Sequence, residues 1–238
     1  MDLLLSIFPF EKEWYAKRAP GFPVEFVGHP ICDRYPDLDC EKSCSIGSPP
    51  KLLLLPGSRA KEVSRHLGVM VDAAKKIDAT PAIVLPNDSL VEQAKLLVPE
   101  VSGWDIRVGR LHETLADTDV AIASSGTVTL ECAWFKVPTV VLYKTSWITC
   151  LLGKLFLKVK HIAMPNILAD REVFPEFIQR EANAKNLARE AKMFIDGSDK
   201  REQALVGLEE IAASLGGKGA ANRAATVVWK LMDQSIQV

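Results

Sequence analysis

The amino-acid sequence predicts an α/β protein whose centre is a doubly wound parallel sheet, and two features support this fold class. Short and almost continuously apolar runs alternate with helical patterns from residue 51 to about residue 180. Continuous apolarity is typical of strands that are buried on both faces. The intervening helical patterns supply the crossover connections that parallel strands need.

The elements follow in chain order. An apolar run at 2–8 predicts a first strand, and further strands are predicted at 51–56, 81–86, 104–109, 119–125 and 138–144. Helices are predicted at 60–77, 88–98, 111–118 and 127–136, with extra C-terminal helices at 181–195, 200–214 and 221–232. A polar stretch at 32–50, rich in Pro, Ser and Asp and without periodicity, predicts a linker.

Composition excludes several classes of protein. An apolar share of 48% and a charged share of 25% are ordinary for a globular chain. A net charge of −1 gives no electrostatic reason to expect nucleic acid as a partner. Five cysteines are too few for a disulfide scaffold, so reduced thiols are expected. No apolar run approaches the roughly 18 residues of a membrane span.

The first strand-to-helix corner with unusual residues follows the strand at 51–56. Gly57 lets the backbone approach a ligand, Ser58 can cap the helix, and Arg59 carries a charge that does not titrate. Glu62 lies in the first turn of the helix that follows. Helix N-termini suit phosphate. The alternative is a plain N-cap with a surface arginine.

The second such corner follows the strand at 119–125. Ser124, Ser125, Gly126 and Thr127 supply hydroxyl and backbone donors, and Glu131 lies just over one helical turn further on. Donors for a diphosphate beside a carboxylate for a ribose diol describe a nucleotide site. The alternative is a capping motif with a solvent-facing glutamate. Two such corners in one sheet favour the nucleotide.

Sharper motifs are absent from the sequence. It has no phosphate loop of the Gly-x-x-x-x-Gly-Lys type, no Gly-x-Gly-x-x-Gly fingerprint and no His-Glu-x-x-His helix. The acidic pair Asp117 and Asp119 stands at a strand entrance, so it is interpreted as a turn. Three cysteines near His29 lack Cys-x-x-Cys spacing, so no metal site is expected; they are Cys32, Cys40 and Cys44.

The segment 146–160 is both apolar and basic. It is consistent with a core helix whose lysines reach the surface. It is equally consistent with a segment that lies on an anionic membrane or grips acyl chains. The sequence leaves both interpretations open.

Several blocks resemble the lipid-A-disaccharide synthase family. They are FPFE (8–11), FVGHP (26–30), LLPGSR with a glutamate at 62, SSGTVTLE (124–131), PTVVLY (138–143), MPNILADREVFPEFIQ (164–179) and the late NRAATVVWKL. The resemblance covers nearly the whole chain and is most specific in the block at 164–179.

The resemblance implies the C-terminal half of a metal-independent GT-B glycosyltransferase that needs no cofactor. Its reaction joins UDP-2,3-diacylglucosamine to 2,3-diacylglucosamine 1-phosphate, giving lipid A disaccharide 1-phosphate and UDP. Position by position, Gly57, Ser58 and Arg59 fall at the UDP diphosphate, and Ser125, Gly126, Thr127 and Glu131 fall in the nucleotide corner. Asn166, Glu172 and Gln179 fall in the block that faces the cleft. Arg59 and Asn166 are the implied catalytic residues.

The resemblance also implies a domain organisation. Residues 1–31 are expected to be the remnant of an N-terminal domain, 32–50 a linker, 51–215 the UDP-sugar-binding domain and 216–238 a C-terminal helix. The acceptor site and the catalytic base then belong to the preceding domain. His29 and His161 are candidate bases for which a structural role is favoured. Asp170 stands where related sequences often have glycine, and the linker is not family-like.

Two rival functions stay open. The first rival to the transferase is a UDP-sugar-binding half that is inactive alone. The second is an isomerase similar to UDP-N-acetylglucosamine 2-epimerases. A bacterial member is expected at the cytoplasmic face of the inner membrane, held peripherally through the segment near 146–160, and a plant member in mitochondria. A homo-oligomer is compatible with the sequence.

Overall fold

The computed structural model describes residues 3–35, 46–145, 160–197 and 199–236. The chain forms two compact units, one made of residues 1–39 and 209–238 and the other of residues 40–208. The division into a domain remnant, a linker, a UDP-sugar-binding domain and a C-terminal helix, given above for residues 1–31, 32–50, 51–215 and 216–238, remains a prediction. In the described part of the chain, no helix is both long and apolar enough to cross a bilayer.

The secondary structure comprises the following elements. The described strands are β1 (Leu4–Ser6), β2 (Val24–Phe26), β3 (Lys51–Leu55), β4 (Thr80–Leu85), β5 (Asp105–Val108), β6 (Val120–Ser124), β7 (Thr139–Tyr143) and β8 (Glu176–Ile178). The described helices are α1 (Pro9–Arg18), α2 (Ile31–Arg34), α3 (Ala60–Ala74), α4 (Asp88–Leu97), α5 (Leu111–Ala116), α6 (Val128–Trp134), α7 (Met164–Ala169), α8 (Ala184–Ile195), α9 (Asp199–Ser214) and α10 (Ala220–Ile236). A 3₁₀ helix spans Pro99–Gly103.

Every predicted strand and helix is present, with boundaries shifted by a few residues. The sequence-based prediction missed α1, β2, α7 and β8, and α2 extends into the predicted linker at 32–50. Residues 46–50 of that linker contain neither helix nor strand, and 36–45 lie outside the described residues.

The larger unit is built on six parallel strands. Their order across the sheet is β5-β4-β3-β6-β7-β8, and each neighbouring pair runs parallel. The chain therefore winds outward in one direction from β3 and in the other direction from β6, which defines a doubly wound sheet with its switch point between these two strands. The predicted fold class is confirmed.

The core of this unit explains why the central strands are apolar throughout. All five residues of β6 are buried, as are four of the five residues of β3 and of β7. Helix α3 packs against α8, and α6 packs against α7. Burying both faces of a strand leaves no room for polar alternation, so the apolar runs follow from the topology.

The smaller unit joins distant parts of the chain through two charged side chains. The Nε group of Arg223 donates to Val27 O at 2.8 Å, and its Nη2 group donates to Gly216 O at 2.9 Å. Asp33 caps α10 by accepting from the amides of Gly219 and Ala221, and these amides lower the pKa of its carboxyl group. These bonds hold the N-terminal residues of the chain against α10.

Asp170 ends α7 in the left-handed region, with φ 48° and ψ 27°. An L-residue with a Cβ pays about 1–2 kcal/mol there, and glycine does not. We therefore expect Asp170→Gly to be more stable than Asp170→Ala by about 1 kcal/mol, measured by urea unfolding. Both variants lose the ion pair with Lys160, so their comparison isolates the backbone. Equal stabilities would contradict this explanation.

Candidate functional site

The two corners predicted to bind a nucleotide lie side by side. The first follows β3 and the second follows β6, and these strands are parallel neighbours, with Leu55 opposite Ala123 in the register. Both corners are therefore at the carboxyl edge of the sheet, on either side of the topological switch point. Open α/β sheets bind their ligands in this position.

The first corner is shaped by a carboxylate. Gly57 has φ +124°, a conformation that residues with a side chain rarely adopt. The amide of Ser58 donates to Glu62 Oε2 at 3.0 Å, and Arg59 Nη1 donates to Glu62 Oε1 at 3.0 Å. The Arg59 side chain is 80% exposed. Most of its guanidinium donors are thus available to a ligand.

The second corner divides into a part used by the fold and an exposed part. Ser124 is buried, and Ser125 donates from its amide to Leu142 O and from its hydroxyl to Ile162 O. Gly126 and Thr127 are exposed. A ligand at this corner therefore meets the Gly126–Thr127 backbone and the Thr127 hydroxyl, with Glu131 half-buried in α6.

His66, which the sequence analysis did not single out, is buried beneath the first corner and contacts its backbone. It is 1% exposed, and its Nδ1 lies 2.9 Å from Pro56 O. The amide of Lys144 donates to its Nε2 at 3.1 Å. The carbonyl of Pro56 can only accept, which assigns a proton to Nδ1, and Nε2 has to be unprotonated to accept from the Lys144 amide, so these two bonds assign the neutral ring. Nε2 also lies 3.3 Å from Lys144 O. His66 thereby ties the exit of β3 to the exit of β7.

Asn166 was predicted to face the cleft, and the structure places its side chain in the interior at 0% exposure. Its Oδ1 accepts from the amides of Val173 and Phe174, each at 2.8 Å. Its Nδ2 donates to Phe174 O and to Glu176 Oε1, each at 2.7 Å. These four bonds use the full hydrogen-bonding capacity of the amide.

Glu176 is a second residue that the sequence analysis did not assign. Its carboxylate accepts from the amides of Ile162 and Ala163 at 2.9 and 2.8 Å, just ahead of α7. The hydroxyl of Ser125 holds Ile162 from the other side. The chain before α7 is therefore tied both to β8 and to the second corner. The signal was present in the block at 164–179, which contains this glutamate.

The other two predicted residues of that block differ in exposure. Glu172 is exposed in the loop between α7 and β8. Gln179 has φ +52°, and its side-chain amide pairs with the backbone of Thr145, accepting at 3.1 Å and donating at 3.2 Å. Gln179 therefore holds the exit of β7, and the apolar and basic residues 146–159 that follow lie outside the described residues.

Where the structure describes them, the other residues weighed in the sequence analysis occupy structural positions. Residues 117–119 connect α5 to β6, and Asp119 accepts from the amide of Lys51 at 2.8 Å at the strand entrance, which agrees with the prediction of a turn there. His29 Nδ1 accepts from the amide of Ile31, and burial lowers the pKa of His29. Cys32 is buried, and the other two cysteines of the weighed metal site, Cys40 and Cys44, lie outside the described residues.

Sequence comparison decides the family. A family model described as lipid-A-disaccharide synthetase matches residues 1–229. The chain belongs to this family. It is 34% identical over 243 residues to the lipid-A-disaccharide synthase of Solibacter usitatus, covering 98% of this chain and 63% of the relative. The Myxococcus xanthus enzyme is 36% identical over 244 residues with the same two coverages. The chain thus spans about 63% of the length of these relatives.

Solved structures confirm the fold of this family member. The structure of Phytolacca americana UGT2 in complex with UDP-2-fluoro-glucose and pterostilbene has a TM-score of 0.62 at 17% identity, covering 96% of this chain and 54% of that one. Sucrose-phosphate synthase from Thermosynechococcus elongatus has a TM-score of 0.53 at 17% identity, covering 98% and 59%. These neighbours have the GT-B architecture and show the fold alone.

The burial of His66 predicts a pH-dependent stability. Burial lowers its pKa below the ordinary 6.5, so the unfolded chain takes up the proton first. The stabilisation is complete above pH 6.5 and is lost as the pH falls through the lower pKa of the folded state. We expect His66→Gln, which keeps a donor and an acceptor but does not titrate, to lose less stability between pH 7.5 and pH 5. Urea unfolding at both values measures this, and identical losses in the two proteins would refute it.

The four bonds of Asn166 predict a large loss of stability on truncation. Asn166→Ala leaves the amides of Val173 and Phe174 buried without an acceptor, and each such group costs about 1–3 kcal/mol. We expect a loss of roughly 2–4 kcal/mol in urea unfolding. Asn183→Ala removes an asparagine that caps α8 at the surface, and should cost only about 1 kcal/mol. Similar losses for both variants would argue against the buried network.

Proposed function

We propose that this chain is the UDP-sugar-binding part of a lipid-A-disaccharide synthase. The complete enzyme would join UDP-2,3-diacylglucosamine to 2,3-diacylglucosamine 1-phosphate and release UDP. The observation that carries the proposal is the pair of adjacent corners at the switch point of the sheet, because both contain the residues expected at the nucleotide. The family assignment supports the reaction.

Arg59 would stabilise the departing diphosphate. As the sugar–phosphate bond breaks, UDP gains negative charge, and in this metal-independent reaction the charge has to be met by protein donors. Arg59 is exposed, and its guanidinium offers donors in a fork that matches phosphate oxygens. The amides of Ala60 and Lys61 at the start of α3 have no acceptor within the described part of the chain, so they can add to these donors.

The second corner would bind the rest of the nucleotide. Gly126 and Thr127 are exposed beside the first corner, and their backbone and hydroxyl groups suit the diphosphate. Glu131 would accept the two hydroxyl groups of the ribose, since a carboxylate provides two acceptor oxygens for a vicinal diol. Ser124 and Ser125 would support this corner from within the fold. Ser124 is buried, and both donor groups of Ser125 are bonded to the backbone carbonyls of Leu142 and Ile162.

The block at 164–179 would shape the site through its backbone. With its side chain fully bonded in the interior, Asn166 acts as a positioning residue and holds the loop that carries Glu172. Gln179 positions the end of β7 in the same manner. Glu172 is the exposed member of the block and is the one able to meet a sugar.

Complete catalysis would require groups from beyond this chain. The transfer needs a base that removes the proton of the acceptor hydroxyl. Of the two candidate histidines, His29 accepts a hydrogen bond from the amide of Ile31 through Nδ1, and the Nε2 atom of His161 is buried. We place the base and the acceptor site in the part of the relatives' length that this chain does not span. Transfer activity therefore belongs to the longer protein, and UDP binding to this one.

We further propose that the longer protein acts at the cytoplasmic face of a bacterial inner membrane. The relatives compared above are bacterial proteins, and both implied lipid substrates carry acyl chains. Peripheral contact would use the apolar and basic segment 146–160, in which lysines can meet anionic headgroups.

UDP binding by the 238-residue chain tests the proposal. Calorimetric titration should show one UDP per chain, and Arg59→Ala should weaken binding about 10- to 100-fold, as expected for a charged hydrogen bond to phosphate. In a full-length version, the same change should lower kcat about 10²–10³-fold.

The control for this test is Arg65→Ala. It removes an exposed arginine from α3, the helix that follows Arg59, about 9 Å further along the helix axis. This variant should bind UDP as the unaltered chain does. If UDP fails to bind, or if Arg59→Ala and Arg65→Ala bind it equally well, the proposed site is wrong.

A further inference from the structure

Glu62 occupies the centre of the first corner, and the proposed function gives it no role. One carboxylate oxygen accepts from the amide of Ser58 and the other accepts from the guanidinium of Arg59. The Glu62 side chain is 27% exposed, against 80% for Arg59. The carboxylate is therefore a partly buried anchor for an arginine that extends into solvent.

The backbone of the corner is fitted to this glutamate. A Cβ atom built on Gly57 would lie 2.5 Å from Glu62 Oε2 and 2.6 Å from Glu62 Cβ. Such distances are closer than any real contact, so only glycine lets the chain pass the glutamate here. The position of Glu62 is thus fixed by packing as well as by hydrogen bonds.

Fixing Arg59 in advance matters for a diphosphate. A long exposed arginine loses rotamer freedom when it clasps a phosphate, and that loss weakens binding. Glu62 engages Nη1 and limits this freedom before the ligand arrives. The remaining guanidinium donors stay available, because the fork of arginine carries five N–H groups.

We propose that Glu62 is a positioning residue for diphosphate recognition, which holds Arg59 and the Ser58 backbone in the geometry that the phosphates require. The inference rests on the proposed function, since it assumes that this corner receives UDP. An opposing effect is the repulsion between the carboxylate and the phosphates. Salt screens that repulsion more strongly than it screens the Arg59–Glu62 ion pair, because the atoms of the pair are in contact at 3.0 Å whereas the phosphates would lie further from the carboxylate.

The test compares UDP with uridine, which lacks the phosphates. Glu62→Gln keeps an acceptor for Ser58 but loses the ion pair with Arg59. At physiological salt we expect UDP affinity to fall about 3- to 10-fold while uridine affinity is unchanged, both measured by titration of the 238-residue chain. A general loss of structure would weaken both ligands together, so the ratio of the two affinities reports positioning.

A double-mutant cycle tests whether Glu62 acts through Arg59. In an Arg59→Ala background, Glu62→Gln should cause no further loss of UDP affinity, because the side chain that it positions is gone. The matched control is Glu113→Gln on α5, which breaks an arginine–glutamate pair of the same spacing with Arg110, the residue that precedes this helix. This control should leave UDP affinity unaltered.

The outcomes distinguish a failure of the proposed UDP binding from a failure of the role proposed for Glu62. If the unaltered chain does not bind UDP, the proposed function itself fails. If it binds UDP and Glu62→Gln binds UDP equally well or more tightly, the carboxylate only repels the ligand and the inference is overturned. Should Glu62→Gln fail to fold, Glu62→Asp replaces it. This side chain is one methylene shorter and cannot reach both partners, so an unchanged ratio of affinities again overturns the inference.

Discussion

The parallel pairing of β3 with β6 is the constraint on which the candidate site depends. Because Leu55 and Ala123 stand opposite each other, both strands end at the same level and their two corners become neighbours. At this point in the sheet the connections after β3 and β6 lead away in opposite directions, and open α/β sheets bind ligands in the crevice that this reversal leaves. Arg59 lies at the first corner and Glu131 just behind the second, so the groups proposed for the diphosphate and the ribose come from two corners. The topology therefore brings together residues that are far apart in sequence.

Polar side chains around this site hold its strand ends and loops in place. His66 joins the exits of β3 and β7, and Asn166 and Glu176 fasten the loop around α7. Buried polar groups that are fully hydrogen-bonded make a rigid support, whereas any unsatisfied member would weaken it. Arg59 and Thr127 are exposed at the two corners and can meet a ligand. A site of this kind gains its preorganisation from residues that touch no substrate.

The sequence predicted the central sheet well because its strands are buried on both faces and flanked by amphipathic helices, as in β3 and α3. It missed β8 because three residues with a glutamate among them show no periodicity, and strand identity there comes from pairing with β7. Both corners could be predicted from residue type at a strand exit. The support by His66 could not, because its partners are backbone atoms far apart in sequence.

The same geometry explains why fold likeness alone does not separate a transferase from an isomerase. A structure described as a UDP-N-acetylglucosamine 2-epimerase from Listeria monocytogenes has a TM-score of 0.59 with this chain at 19% identity, covering 98% of this chain and 60% of that one. A transferase that uses a UDP-sugar and an epimerase that uses one would both need the nucleotide site that we propose at the paired corners. The chemistry is decided by what approaches the sugar from the opposite side. The match of residues 1–229 to the synthetase family, rather than the sheet, therefore favours transfer.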